Sequence, residues 1–481
     1  MSTIMVFDLP SQSCRIGSLQ VTGSASSTIR NPATGEILAC VPHLGAKEAA
    51  LAVDAASSAF RSWSRGTAYD RAALLTRWAD LIEDRYASLA ELLTAEQGKP
   101  LKEAQRELRY GNSFVRWYAE EAKRVYGETI PSERADQRIL ILKQPLGVVA
   151  AITPWNFPVA MVLRKVAPAL AAGCTVVLKP APETPLSALQ LVELAAQAGI
   201  PEGVLNIVTG PAEDIGAVWM ADPRVRKVTF TGSTEVGRLL MSQSARTLKK
   251  LTLELGGNAA MIVCADADLA RALSGSMFGK FRNAGQTCIS VNRFLLHDHI
   301  AQSFTERFVE QVRSLRVGNG SDPSSDIGPL INEDGCNKVE DLVNDALRSG
   351  ATLLLGGKRI KGTFFAPTVL ADVTPSMRIA QEEIFGPVAC LSTFNDDDTA
   401  IRTANDISHG LVHYVYTEQL SRAFRYSEEL EAGMVGINGT AISCAHAPFG
   451  GIKQSGYGRE GGHHGIDEFL QVKYVSIGIA S

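Results

Sequence analysis

The chain has 481 residues, 45% of them hydrophobic and 20% charged, a balance that excludes a disordered protein and exceeds what one ordinary core organises, so about three units are expected. With 47 basic and 51 acidic residues the formal charge is -4, which offers no general basic field for nucleic acid. The eight cysteines form no CxxC pair and no Cys/His ligand spacing, so neither a metal centre nor a disulfide framework is expected.

The opening residues, MSTIMVFDLPSQSC, carry Asp8 and lack the basic start and long apolar core of a signal peptide, and with the cysteine pattern they suggest a reducing, cytoplasmic setting. After an irregular start, GAKEAALAVDAASSAFRSW and the run 68–97 have helical periodicity. From Arg138, RILILKQPLGVVAAIT reads as two strands joined at 144–147, and a hairpin is expected there. LGVVAAITPWNFPVAMVL (146–163) carries no charge, but Pro154, Asn156 and Pro158 interrupt it. It reads as a buried strand, a turn and a buried helix start, with no membrane span.

Short apolar strands then alternate with helices: CTVVLKP, SALQLVELAAQAG, GVLNIVTG, a helix near 213–221, VRKVTFTG, and a helix from Ser233 into Ser244. That alternation predicts a parallel α/β sheet whose site residues sit at the carboxyl ends of its strands. A second alternating stretch begins near LTLELGG and runs through AAMIVC, a helix over 300–315, ATLLLGG, PVACLSTF and MVGING. The closing EFLQVKYVSIGI has β-forming residues suited to pairing with an exposed strand, including one in another subunit.

Several short segments carry candidate chemistry. In FTGSTEVG, Gly232 and Ser233 stand at a strand-to-helix junction, which suits a phosphate or an ordinary N-cap. Lys179 ends an apolar strand, either as a cation for ribose or phosphate or as a solvated lysine. Glu254 in LTLELGGN is either a strand-end carboxylate facing water or a desolvated one with a raised pKa, suited to general-base work. Asn156 in PWNFP offers a neutral donor for an oxyanion, or caps its own turn. Cys288, in FRNAGQTCISVNRF, is a structural thiol or a nucleophile.

PWNFP, LELGG and GQTC occur here in that order, with NPATGEIL (31–38), EEIFGPV (382–388) and PFGGIKQSGYGREGG (448–462). On these motifs the chain resembles the aldehyde dehydrogenase superfamily over nearly its whole length. The resemblance implies a Rossmann-like cofactor domain (1–122 and 146–254), a catalytic domain (255–453) and an oligomerisation arm (123–145 and 454–481) built from the hairpin and the C-terminal strand. It further implies a homodimer or homotetramer using NAD or NADP. By the same resemblance Cys288 is the nucleophile, Glu254 the base, Asn156 an oxyanion donor and Glu460 a proton relay. Thr153, Trp155, Lys179, Gly232, Ser233, Glu383 and Phe385 match cofactor positions.

WNFPVAMVLRK, FTGSTEVGRLL, FRNAGQTC and the ISxxxxPFGG frame look closest to the succinate-semialdehyde dehydrogenases. There Arg164, Arg282 and Ser443 match the residues that hold the substrate's remote carboxylate. Cys444 and His446 depart from the pattern of that loop, leaving open 2-oxoglutarate semialdehyde, glutarate semialdehyde and a sulfonated aldehyde such as sulfolactaldehyde. Pro182 stands where many NAD-using relatives carry a ribose-binding glutamate, and Ser290 stands where some members carry a second cysteine. A CoA-acylating enzyme generally lacks the base that Glu254 matches, and a non-catalytic relative would tolerate loss of Cys288.

Overall fold

The computed structural model describes residues 13–480; the opening segment read above for a targeting signal lies outside them up to Gln12. A layer of helices precedes the first sheet: Ala46–Arg65, Ala68–Asp84, Tyr86–Gln97 and Leu101–Glu121. Thr67 starts the second of them with a reciprocal cap, accepting from the Asp70 N–H while Asp70 reaches back. Gly98, at φ +93°, ends the third in the left-handed conformation that glycine adopts without strain. The start of the chain is less irregular than expected, since two small antiparallel pairs form there, Cys14–Ile16 with Leu19–Val21 and Ser26–Arg30 with Ile37–Pro42.

The first main sheet runs, in spatial order, Gly456–Tyr457, Lys250–Glu254, Val225–Thr231, Val148–Ile152, Thr175–Lys179 and Leu205–Ile207. Its last five strands are parallel. Chain order reverses at Val148–Ile152, with later strands added first on one side and then on the other. The crevice beyond that strand's carboxyl end is where open α/β sheets bind ligands. The second main sheet has seven strands, Thr352–Leu355, Thr368–Ala371, Val388–Phe394, Val291–His297, Ala259–Val263, Val412–Tyr416 and Met434–Ile437, all parallel except the first. Each sheet has its own buried core.

Two expectations need correction. No hairpin forms at 144–147: Gln137–Pro145 pairs with Glu128–Ile130 and along nine positions with Leu470–Gly478, whereas Val148–Ile152 becomes a central strand of the first sheet. The cause is burial. The earlier run is half-exposed throughout, the later one almost wholly buried, and Gly147 at φ +134° turns the chain from one sheet into the other. Secondly, LTLE belongs to the outermost parallel strand of the first sheet, not to the second alternating stretch. The expectation for the first sheet holds: Lys179 and Glu254 close two of its strands, and Thr153 and Gly232 follow directly on two others. Only four residues, 255–258, join Glu254 to Ala259, so the carboxyl ends of the first sheet face the amino ends of the second. Cys288 precedes Val291–His297 and therefore stands at an amino end.

The uncharged stretch resolves as expected into a strand and the helix Pro158–Ala172, every residue of which is buried. Pro158 opens it, where a missing N–H costs nothing, and Gly173 at φ +95° closes it. Among the described residues no helix is long and apolar enough to cross a membrane.

Candidate active site

Cys288 is delivered by an unusual turn. Asn283, Ala284 and Gly285 have φ of +51°, +54° and +75°, three successive left-handed residues of which only the last is free of the Cβ penalty. Such a turn persists only if its surroundings hold it. The Asn283 N–H donates to Glu103 Oε2 (2.7 Å) and its amide to the Asn156 carbonyl (3.0 Å). Gln286 donates to the carbonyls of Asn283 (3.1 Å) and Pro329 (3.3 Å) and accepts from the Ile331 N–H (2.9 Å). The Asn156 side chain donates to the Gln286 carbonyl (3.0 Å), which removes the reading of Asn156 as a self-capping turn residue. Lys99, buried and paired with Glu107 at 2.5 Å, donates to the Asn156 carbonyl (2.8 Å). Glu103, Asn156 and Gln286, with Lys99 behind Asn156, thus clamp the turn through polar side chains.

Beyond the turn lies a cavity of about 190 Å³ whose walls include Cys288, Arg164, Arg282 and Ser443 together. Arg282 lies over the rings of Phe157 (5.3 Å) and Phe278 (5.0 Å), and Arg164 over Phe449 (4.3 Å), so aromatic faces carry part of the charge. Glu103, Arg106, Glu107 and Tyr110 line the same cavity from one face of Leu101–Glu121, at helical spacings of three, four and seven. Sequence reasoning missed this wall, because the pattern reads as the polar face of an ordinary surface helix. Its one available signal was that spacing. Cys444 and His446 lie off the walls: Cys444 is half-buried, and His446 is exposed with its ring tilted against Trp117 at 6.1 Å.

Behind Cys288 sits a buried cluster of charge. Glu460 is held by Lys165 and by Arg164, whose Nε lies 2.5 Å away. Burial opposes the Glu460 charge, but Lys165 and Arg164 more than offset it and keep the carboxylate below its ordinary range. Glu254 is equally buried, and neither of its oxygens finds a hydrogen-bond partner among the described residues. Burial, then the Glu460 charge, drive its pKa well up against the pull of Arg164, Lys165 and Arg459. Two neighbouring carboxyls are thereby pushed apart, one below its ordinary pKa and the other well above it. Burial also pushes the Cys288 thiol up to about 12, against the Arg164 charge and with help from Glu383 and Glu254.

The remaining predicted positions gather around the crevice at the switch point. The Thr153 N–H donates to the Lys179 carbonyl (3.1 Å), and its buried hydroxyl is unpartnered among the described residues. Trp155 and Phe385 meet edge to face, centroids 5.3 Å apart. Glu383 accepts from the Gly257 N–H (3.0 Å), and burial raises its pKa to about 7. Gly232 leaves no room for a Cβ against the Phe230 ring, while Ser233 caps Thr234–Ser244 by accepting from the Val236 N–H (3.3 Å). Lys179 is buried, with only the Pro180 carbonyl, at 3.4 Å, as a hydrogen-bond acceptor among the described residues, and burial lowers its pKa against the pull of Glu183. A helix start, an unpaired hydroxyl, an underused cation and an aromatic pair fit a dinucleotide.

Gly285→Ala should therefore cost more than its size suggests, since a Cβ there meets strain of about 1–3 kcal/mol and overlaps the Gly386 carbonyl. Urea unfolding should show destabilisation by at least that amount together with lost activity. Gly216→Ala, in a helix with open space around it, should leave stability equal or higher.

Comparison with known proteins agrees with this geometry. Residues 21–475 match the model of the aldehyde dehydrogenase family. The 3-sulfolactaldehyde dehydrogenase of Pseudomonas putida is 53% identical over 471 residues, 97% of each chain. A mitochondrial succinate-semialdehyde dehydrogenase of Arabidopsis thaliana is 54% identical over 452 residues, 94% of this chain and 86% of the relative. The crystal structure of succinate-semialdehyde dehydrogenase from Burkholderia pseudomallei superposes with a TM-score of 0.97 at 49% identity, covering 100% of both chains. With the thiol, the split carboxyl pair and the crevice joined in one place, the chain belongs to the aldehyde dehydrogenase family.

Proposed function

We propose that the protein oxidises a small aldehyde with an anionic tail, succinic semialdehyde foremost, to the carboxylic acid with NAD or NADP as acceptor. The observation that carries this reading is a thiol and two arginines on the walls of one small cavity. A buried tail anion needs its charge paired, and guanidinium groups do so with directional donors. The relative named for 3-sulfolactaldehyde supports a sulfonate tail as the second reading. Glutarate and 2-oxoglutarate semialdehydes fall within the same class.

In this reading the Cys288 thiolate adds to the aldehyde carbon, and the oxyanion is held by the Cys288 N–H and by the Asn156 amide hydrogen not used on Gln286. The dinucleotide, when bound, supplies the hydride acceptor; Thr153, Trp155, Lys179, Gly232, Ser233, Glu383 and Phe385 would hold it. Glu254, once deprotonated, takes a proton from the water that cleaves the resulting thioester, and Glu460 passes that proton onward. Pro182 is exposed and Glu183 half-buried beside Lys179, which supports use of either NAD or NADP.

The six-stranded sheet supports a cofactor domain at 1–122 and 146–254, and the seven-stranded sheet a catalytic domain at 255–453. Of the arm proposed at 123–145 and 454–481, Gly456–Tyr457 and Gly462–Asp467 lie against the first domain, leaving Leu470–Gly478 as its strand. Val472, Tyr474 and Ile477 on that strand, with Leu142, are exposed, which favours a homodimer or homotetramer. The scatter of the eight cysteines along the chain, with no CxxC pair, suits a reducing, cytoplasmic setting.

Cys288→Ser should nearly abolish oxidation, and Glu254→Gln should give a hydride burst in stopped flow followed by slow acid release; parent-rate turnover in Glu254→Gln removes it as the base. Because burial raises both the Cys288 thiol and the Glu254 carboxyl, and both act deprotonated, the rate should climb between about pH 6 and pH 9. A flat steady-state profile over that span counts against these roles. Arg282→Ala should cost about 2–5 kcal/mol in kcat/KM for succinic semialdehyde and almost nothing for butyraldehyde. Equal losses on both substrates would assign Arg282 to the fold.

A further inference from the structure

Tyr110 belongs to none of the roles above, yet its hydroxyl is placed to meet substrate. The ring lines the cavity that holds Cys288, Arg164, Arg282 and Ser443. Its oxygen is buried and has no hydrogen-bond partner among the described residues. An unpartnered phenol is costly to bury, because its water is lost and nothing replaces it. The ring is not free to turn away, since it packs edge to face on Phe114 with centroids 5.0 Å apart at 74°, on a rigid helix. Burial raises the phenol's pKa, and Arg164 and Ser443, both within polar reach of its oxygen, pull it part of the way back. Arg164 Nη2 is likewise buried and unpaired, while its Nε lies against Glu460. Two buried donors without acceptors therefore border one cavity.

We propose that Tyr110 is a specificity-determining residue whose hydroxyl donates to the tail anion of the substrate, completing with Arg282, Arg164 and Ser443 a subsite for a carboxylate or sulfonate. The proposal deepens the anionic-aldehyde reading and rests on it. A carboxylate spanning the arginines fills the acceptor role that both orphaned donors lack, and a neutral aldehyde leaves both unpaired. A site built to hydrogen-bond its substrate rejects an analogue lacking the group for that reason. The role is one of binding: Tyr110 has no part in the oxyanion, hydride or water steps.

Tyr110→Phe removes one oxygen and keeps the ring, and a melting curve within a few degrees of the parent's verifies the fold. Kinetics with succinic semialdehyde and butyraldehyde are compared in wild type and variant, together with inhibition of butyraldehyde oxidation by succinate as a non-reacting dicarboxylate. The expected result is a rise of about ten- to hundredfold in KM for succinic semialdehyde, as for a hydrogen bond to a charged group. The succinate inhibition constant should weaken by a similar factor, with kcat, the pH profile and butyraldehyde kinetics within twofold. If wild type discriminates between the aldehydes and the variant does so equally, the Tyr110 proposal is overturned alone. If wild type does not prefer the anionic aldehyde, the anionic reading falls and the tyrosine's role with it. A variant that loses both substrates in proportion assigns Tyr110 to packing and also overturns the proposal. Should Tyr110→Phe melt early, Ser443→Ala with the same succinate titration tests the subsite from its other wall, and an unchanged inhibition constant there rejects it.

Discussion

Glu460 held between Arg164 and Lys165 is the contact on which the centre of this molecule depends. All three groups are buried, and the two cations come from a helix with no other charge and no exposed residue. Leaving such a group unpaired costs about 3–5 kcal/mol, so the triad binds the loop carrying Glu460 to that helix. The same contact sets the chemistry. Burial, reinforced by the charge on Glu460, drives the pKa of Glu254 well up, and Arg164, with Nε against Glu460 and Nη2 unpaired among the described residues, links the cavity wall to the carboxyl pair.

The second constraint is topological. A linker of four residues joins the two sheets, which sets the carboxyl ends of one against the amino ends of the other. Residues that a single sheet could not bring together then meet: Thr153 and Trp155 from the first sheet's switch point, Glu254 from its outermost parallel strand, and Cys288 from the approach to a strand of the second. The left-handed turn at 283–285 makes that approach possible, and Glu103, Lys99, Asn156 and Gln286 hold it in place. Strain at the turn is matched by hydrogen bonds that only the folded state supplies.

The cavity beside Cys288 is built from several rigid elements. Aromatic faces from Phe157, Phe278 and Phe449 seat the guanidinium groups, which fixes their charge without removing their donors. Helix Leu101–Glu121 closes the remaining side with a face that mixes acid, base and phenol. Acidic Glu107 is neutralised within the wall by Lys99, and Glu103 accepts from the turn that carries Cys288. The net field toward the cavity is left to the arginines.

What the sequence by itself determined was local. Pro158, Gly173 and an uncharged run specify a buried helix, alternating apolar strands specify parallel sheets, and the PWNFP, LELGG and GQTC motifs are specific enough to name the family and to nominate residues for its site. Only the tertiary structure decided where those pieces meet. Gln137–Pro145 and Val148–Ile152 look like hairpin partners because two β-forming runs flank a turn, but pairing is settled by burial and by a strand more than 320 residues away. The stripe 103, 106, 107 and 110 has the spacing of any solvated helix face, and the sequence holds no sign of a cavity opposite it. Likewise Glu254 between leucines is legible as a strand end, whereas its protonation depends on Glu460, Arg164 and Lys165 arriving from distant segments. Periodicity encodes which face a residue occupies; the electrostatics of a site depend on which other faces are packed against it.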